Sequence, residues 1–442
     1  MTVVRRSVHD REIVLIALPA LGALAAEPLY LLTDTAIVGH LGTTELAALA
    51  LAATVLTSLV GLCNFLAYGT TAQVARLHGA GETTAAGDLG AQALWLALVI
   101  GATAAALTAL FAAPVVGLLG ADGDVADAAA RYLRIAALGL PCAMLALSGQ
   151  GWLRGVGDLR SPLIVVVIAS AANVVLELVL VYGLDLGLDG SAWGTVVAQL
   201  GMGAAFAWLL LRAPASTRRP VWDLIRPLTR MGAQIVVRTG SLLLAFAVAS
   251  AVLARTSDAA LAANQVVFQL FVFLALVLDA LAIAGQVLVG RALGGADARQ
   301  ARVMGRRLCE LSFAAGLVMT VVLLALSGVL PRLFTSDAAV LDQIAIAWPI
   351  FAGLLPFAAI VFALDGILIG AGDTRYLAIA MAASAAVAIA IELLTLAFDW
   401  GIAGIWAAMT ALMAVRLATT AWRFVGGRWA LVGARVGEAP AA

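Results

Sequence analysis

The chain has 442 residues, 63% of them hydrophobic and only 12% charged, with a formal net charge of +0 and a mean hydropathy of +1.06. A soluble domain carries about a quarter charged residues, so this chain cannot clothe itself in a water-facing surface and must turn most of its exterior to lipid. The basic residues are all arginine and form no block of the kind that engages nucleic acid, and Cys63, Cys142 and Cys309 are too scattered for a disulfide framework or a metal-ligand cluster.

Residues 1–12 are short and basic, and the apolar stretch after them runs past Asp34 with no small-residue cleavage site. It is too long for a signal-peptide core and is expected to be a retained spanning helix. Crossing the hydrocarbon layer takes about 20 mostly apolar residues in a helix, and only helices or closed barrels can cross. The long Ala/Leu/Val runs lack the alternation of barrel strands, so the spans are predicted to be helical. In chain order they fall near 12–38, 46–75, 88–112, 124–150, 161–183, 187–211, 228–253, 259–290, 301–326, 338–365, 376–398 and 401–423.

Arginine placement supports this order. With the N-terminus inside, the inner segments hold Arg5, Arg6, Arg11, Arg76, Arg154, Arg160, the arginines from Arg212 to Arg230, Arg291, those from Arg299 to Arg307, Arg375, Arg423, Arg428 and Arg435. The outer loops hold only Arg255 and Arg332, beside acids such as Asp122, Asp124, Asp185 and Asp189. Cytoplasmic loops are the arginine-rich ones, so both termini are expected to be cytoplasmic.

The sequence repeats itself. A shift of 215 residues places Arg76 on Arg291, Asp122 on Asp337, Pro141 on Pro356, Gly151, Gly155, Gly157 and Asp158 on Gly366, Gly370, Gly372 and Asp373, and Glu177 on Glu392. Each half has an even number of spans, so both enter from the same side, as a parallel repeat about an axis along the membrane normal. The expected architecture is an all-α membrane protein of twelve helices in two pseudo-symmetric six-helix bundles. Residues 1–211 form the first lobe, 212–227 a cytoplasmic linker, 228–424 the second lobe and 425–442 a tail. Two such bundles with a cavity between them offer a route to alternating access. The glycine-rich segments near Gly151–Asp158 and Gly366–Asp373 follow membrane helices rather than strands, and are expected to make tight turns between spans rather than bind phosphate. No Walker motif appears, which points to an ion gradient as the energy source.

Charged residues within spans are costly, about 2.5–3.5 kcal/mol or more each, and mark cavities and ion pathways. Glu27 and Asp34 lie seven apart on one face of span one, after Pro19, which interrupts the backbone ladder and supplies a place to bend. Asn173 and Glu177 lie four apart on one face of span five. The second half carries Asp279, Asp365 and Glu392, and Arg238 on span seven requires a buried partner or a wet cavity. His40 and His78 sit at span ends, where interfacial anchoring accounts for them. A buried carboxylate can hold a proton or a cation in turn, the dual character a coupling site needs.

The segment from Glu27 to Gly42, EPLYLLTDTAIVGHLG, resembles the first-helix signature of the multidrug and toxic compound extrusion (MATE) family, in particular its DinF branch. The segments Arg76–Glu82 and Leu153–Asp158 are similar to cytoplasmic loops of that family, and the likeness spans about residues 10–425. The resemblance implies an exporter of cationic or amphipathic compounds in exchange for H⁺ or Na⁺. It implies a cation site in the first lobe made of Asp34, Tyr132, Asn173, Glu177 and Thr195, with Pro19 as a hinge responding to Asp34. Na⁺ would be held by Asp34, Asn173, Glu177 and Thr195. Glu177 departs from some characterised relatives, which carry Asp there.

The expected function is therefore a secondary active antiporter, not an enzyme. It would need no cofactor beyond its driving ion, would act as a monomer in the cytoplasmic membrane of a prokaryote, and would have a small-molecule substrate and membrane lipid as its partners. A flippase for lipid-linked precursors, or another metabolite exporter of the same superfamily, is the nearest alternative. An intramembrane enzyme finds no HExxH or GxSxG motif, and a channel would not need the duplicated bundles.

Overall fold

The computed structural model describes residues 8–435, apart from the side chains of Val8, His9 and Glu27. The first half of the chain runs through helices α1 (Val8–Gly39), α2 (Thr43–Cys63), α3 (Phe65–Gly79), α4 (Thr83–Leu118), α5 (Gly123–Ala137), α6 (Leu140–Val156), α7 (Arg160–Glu177) and α8 (Gly187–Leu211). The second runs through α9 (Trp222–Leu253), α10 (Asp258–Gly294), α11 (Ala298–Ala325), α12 (Ala338–Gly370), α13 (Thr374–Phe398) and α14 (Gly401–Val425). Among the described residues eleven helical segments are long and apolar enough to cross a membrane, α2 and α3 together forming one of them; α5 and α6, bent by 52° at their junction, make a twelfth. The bend falls where Pro141, at the start of α6, has no N–H to offer the preceding turn. Several helices outrun their apolar stretch by a turn or more, because the sequence pattern marks only the hydrocarbon-facing portion.

Two compact units divide the described chain. One is Gly22–Gly232. The other begins at Ala233 and includes the part of α1 up to Leu21, where Arg307 of α11 forms a paired contact with Asp10 at 2.6 and 2.9 Å.

The repeat reappears as packing within each unit. In the first, α6 packs on α3, α4 and α8; in the second, α12 packs on α10, α11 and α14. The contacts that permit this are glycines in register. A Cβ on Gly151 would stand 2.5 Å from the Ala67 carbonyl oxygen, and one on Gly366 would stand 2.2 Å from that of Ala282. Gly101 meets the Pro141 Cα and Gly316 meets the Pro356 Cα in the same way, at 2.5 and 2.7 Å. Every member of these pairs is displaced from its counterpart by the same 215 residues. Small residues let membrane helices approach backbone to backbone, where van der Waals contact replaces the missing hydrophobic drive.

This corrects the turn reading of the glycine-rich segments. Gly151 and Gly155 lie inside α6, and Gly366 and Gly370 inside α12, all pressed against a neighbouring helix. Only Gly157 (φ 85°) and Gly372 (φ 76°) make the turns. Helix packing and turning both select glycine, so composition alone could not separate them.

The segment from Arg212 to Val221 lies along α4. The Asp88 carboxylate accepts from the backbone N–H groups of Ser216 and Thr217 at 2.7 and 2.8 Å. Gln92 donates to the Arg219 carbonyl at 3.0 Å and accepts from Val221 N–H at 2.8 Å.

Filling a helix contact should separate the helices that share it. Gly366→Val is expected to lower stability by about 1–3 kcal/mol or more, as overpacking does, seen as a lower thermal midpoint of the detergent-purified protein. Gly240→Ala, a helical position with no side chain or neighbouring backbone within 4 Å of the new Cβ, should leave the midpoint unchanged.

Candidate functional site

The residues singled out in the first half converge inside the Gly22–Gly232 unit. Asp34, near the end of α1, is only 2% exposed, and Glu177, the last residue of α7, is fully buried at 0%. Asn173, Tyr132 and Thr195 are buried with them. The two carboxyl groups neighbour each other, and the Asn173 amide adjoins Glu177. The Tyr132 phenol lies beside Ser191 and Thr195.

The hydrogen bonding is uneven. The Ser191 hydroxyl donates to Asp34 Oδ1 at 2.7 Å, and Tyr30 and Thr195 pair their hydroxyls at 2.8 Å. Neither oxygen of Glu177, and neither polar atom of the Asn173 amide, has a hydrogen-bond partner among the described residues. Among the described residues no arginine or histidine forms an ion pair with Asp34 or Glu177. The site thus gathers two carboxyl groups and several side-chain oxygens, and the second carboxyl has unfilled acceptors.

Local backbone features shape the site. Gly194 of α8 passes so close to Glu177 that a Cβ there would come within 3.0 Å of the Glu177 Cγ. Immediately after Glu177 the helix widens into a π turn, Leu178–Gly183. Its Tyr182 hydroxyl reaches the Ile37 carbonyl of α1 at 2.5 Å, tying the end of α7 to the turn that follows Asp34. Such π turns recur at functional sites because one extra residue in the ladder re-aims the side chains beside it.

Tyr30 and Ser191 were missed by the sequence reading. Each lies four residues from a residue that was chosen, Tyr30 before Asp34 and Ser191 before Thr195, and so on the same helical face; that spacing could have found them. The helix carrying Pro19 runs unbroken through it in this structure, from Val8 to Gly39. The side chain of Glu27 lies outside the described residues.

The MatE family model matches residues 19–179 and 239–394. The chain belongs to this family of multidrug and toxic compound extrusion transporters. DNA damage-inducible protein F of Escherichia coli (strain K12) is 32% identical over 438 residues, covering 95% of this chain and 94% of that protein. Protein DETOXIFICATION 44, chloroplastic, of Arabidopsis thaliana is 32% identical over 432 residues, covering 93% and 81%. The fold is similar to the Vibrio cholerae MATE transporter VcmN in its bent form, with a TM-score of 0.87, 21% identity, and coverage of 95% of this chain and 97% of that one. The chain is accordingly an integral membrane transporter.

The second half of this MATE protein uses its intramembrane charges differently. Asp365 of α12 accepts from both Arg238 of α9 and Arg416 of α14, the latter at 2.5 Å. Arg416 is 3% and Asp365 4% exposed. Arg238 thus has the buried partner its position demanded; Arg416, a charge within the last span, carried the same signal and was missed by the sequence reading. Asp365 answers two guanidiniums at once.

Removing the anion should therefore cost more than removing either cation. Asp365→Asn is expected to destabilise the protein by about 3–5 kcal/mol, the range for breaking a buried pair and stranding its partner. Thermal unfolding in detergent would register this as a large fall in midpoint or failure to purify; an unchanged midpoint would show that water already solvates the arginines.

Proposed function

We propose that this chain is a cation-coupled antiporter that exports cationic or amphipathic compounds in exchange for H⁺ or Na⁺, with Asp34 and Glu177 as the coupling pair. The observation carrying this reading is the neighbouring pair of buried carboxyl groups with no ion-pair partner among the described residues. Two like charges about 4 Å apart repel by roughly 4 kcal/mol even at an effective dielectric constant of 20. The pair therefore cannot stay doubly ionised unaccompanied. It must share a proton or hold a cation, and the pair titrates as a unit.

The neighbours have distinct parts in this scheme. Asn173, Thr195 and Tyr132 offer oxygen atoms around the carboxyls, suited to a hard cation such as Na⁺. Ser191 steadies Asp34 when it is ionised. Proton or Na⁺ entry cancels charge on α1, and Pro19, lacking the N–H that would close the ladder, is the position at which α1 yields in response. Substrate and ion then compete for one set of negative charges, so that loading one releases the other. The arginine distribution supports cytoplasmic termini, and the family's name and relatives support a drug or metabolite as cargo.

The test is efflux of ethidium from proteoliposomes, with an imposed pH gradient compared side by side with an imposed Na⁺ gradient. Efflux driven by one of them identifies the coupling ion. Asp34→Asn and Glu177→Gln are each expected to reduce driven efflux to the rate of protein-free vesicles while the protein still purifies as a monodisperse species. Full driven efflux in Asp34→Asn would overturn the assignment.

A further inference from the structure

The chain that follows the last span of each half leaves from the same place in the repeated frame and then takes a different course. Beyond the π turn the shift between halves becomes 214, as Gly187 on Gly401 and Gly190 on Gly404 require. The backbone records the extra residue: Leu186 N–H bonds to the Leu180 carbonyl in the first half, whereas Trp400 N–H bonds to that of Thr395, five residues back, in the second. Residues 212–221 therefore correspond to 426–435, while α4 and α11 stay in register at 215.

In the first half the linker closes over the start of α4. A Cβ on Gly87 would stand 1.9 Å from the Pro214 carbonyl oxygen, and Asp88, Gln92 and Trp95 all bond to linker backbone. Their counterparts on α11 are Arg302, Val303, Arg307 and Glu310. Arg307 takes Asp10 and Glu310, but Arg302 and Val303 stand exposed. The segment after α14 heads elsewhere. Gly427 (φ 70°) turns it beside Arg302, whose Nη2 would lie 3.5 Å from a Cβ on that glycine. Trp429 then stacks on Phe424 at 5.3 Å and donates to its carbonyl at 2.8 Å. Gly433 N–H bonds at 3.0 Å to the carbonyl of Leu293, at the end of α10. A face covered by chain in one half is left open in the other.

The open face is a stripe of arginine that runs into a stripe of hydrocarbon. Arg299, Arg302 and Arg306 are exposed and lie three and four residues apart, so they share one side of α11. Phe313, Leu317 and Val321, all exposed, continue that side seven, eleven and fifteen residues beyond Arg306. Arg428, beside Gly427, is exposed as well. None of these four arginines forms an ion pair among the described residues. The nearby acids are engaged: Asp297 caps the helix by accepting from Gln300 N–H at 2.7 Å, and Glu310 faces Arg307 at 2.7 Å. Like charges at this spacing repel one another, and the first-half counterparts of the stripe, Thr84, Gly87 and Ala91, carry none.

We propose that this stripe binds an anionic phospholipid, its phosphate held by Arg302 and Arg306 with Arg299 and Arg428 beside it. One acyl chain lies along Phe313, Leu317 and Val321. The planar guanidinium fork matches phosphate oxygens in pairs, and basic clusters at the end of a spanning helix are suited to anionic headgroups. The apolar continuation of the same helix side selects a lipid over a soluble phosphate, which would gain nothing from it. The site lies within the second unit and is independent of the Asp34–Glu177 pair and of the antiport reading.

The test is titration of short-chain phosphatidylglycerol into the purified full-length protein in an uncharged detergent at fixed ionic strength, followed by the thermal midpoint. Phosphatidylcholine of the same chain length and inorganic phosphate are titrated in parallel. Phosphatidylglycerol should raise the midpoint saturably, and the other two should not. Arg302→Gln should raise the half-saturating concentration by about fivefold, and Arg302→Gln with Arg306→Gln by about 25-fold, the effect of one surface arginine at an anionic lipid taken twice. Arg375→Gln, which removes an exposed charge from α13, should leave it unchanged. These are surface positions, so the variants are expected to purify as the parent does. An equal response to phosphatidylcholine, or indifference to the double variant, would overturn the proposal. So would an Arg375→Gln effect as large as that of Arg302→Gln, which would mean diffuse surface charge. A rise produced by inorganic phosphate at the same concentrations would overturn it too, since the stripe would then take a free anion.

Discussion

A carboxylate removed from water must be given a positive charge, a set of donors or a proton, and the neighbourhood of Asp34 and Glu177 supplies a single hydroxyl donor between them, Ser191. The local architecture follows from keeping this deficit in place. Gly194 lets α8 pass close to Glu177, and the π turn after Glu177 redirects the chain so that Tyr182 closes onto α1. A filled and fully bonded version of this pocket would be more stable and inert. Stability has been withheld where an exchangeable ion or proton is proposed to provide it.

The same frame supports two chemistries because the packing and the chemistry use different residues. Close helix contacts at Gly101, Gly151, Gly316 and Gly366 obey the repeat closely. They depend on backbone approach, which tolerates no added atom, so both copies are bound to the same solution. Side chains facing the interior of each unit are free of that restriction. Tyr30 and Asp34 are answered by Ala245 and Ala249, while Arg238 and Arg416, gathered on Asp365, belong to the second half alone.

Most of the fold was legible in the sequence because the bilayer imposes a length and a composition on every span. The number of helices and their order come from that one constraint, and the duplication from Gly, Pro and charged residues that coincide at a shift of 215. The long overruns were not legible, since they lie where the apolar pattern stops; the break in the fourth span falls within apolar sequence, and only the Gly139 and Pro141 beside it marked the place. The proposed site was legible in part for a related reason: an acid in a span is conspicuous, so Asp34 and Glu177 stood out, and Asn173 followed from its spacing on the same face. Tyr30 and Ser191 are ordinary residues in a helix and gain meaning only from what they touch. The Asp365–Arg416 contact joins residues 51 apart in sequence, and no periodicity connects them. The π turn is a matter of hydrogen-bond register, which composition does not encode.

That register difference also bears on how the two halves diverged. An inserted residue inside a spanning helix would rotate everything beyond it by about 100°, given 3.6 residues per turn. Here the extra residue falls between Leu180 and Leu186, beside the loop that joins α7 to α8, and Gly190 and Gly404 still seat against Leu180 and Thr395 respectively. The π turn absorbs the insertion before α8 begins, so Ser191 and Thr195 keep the face that Ile405 and Met409 occupy in the second half. The first half thus carries a turn beside Glu177 without disturbing the helix contacts both halves share. The second half, lacking the turn, the aspartate and the tyrosine, keeps a glutamate over a small cavity. One repeated frame thus holds a crowded pair of carboxyl groups in one copy and a single carboxyl group beside a small cavity in the other.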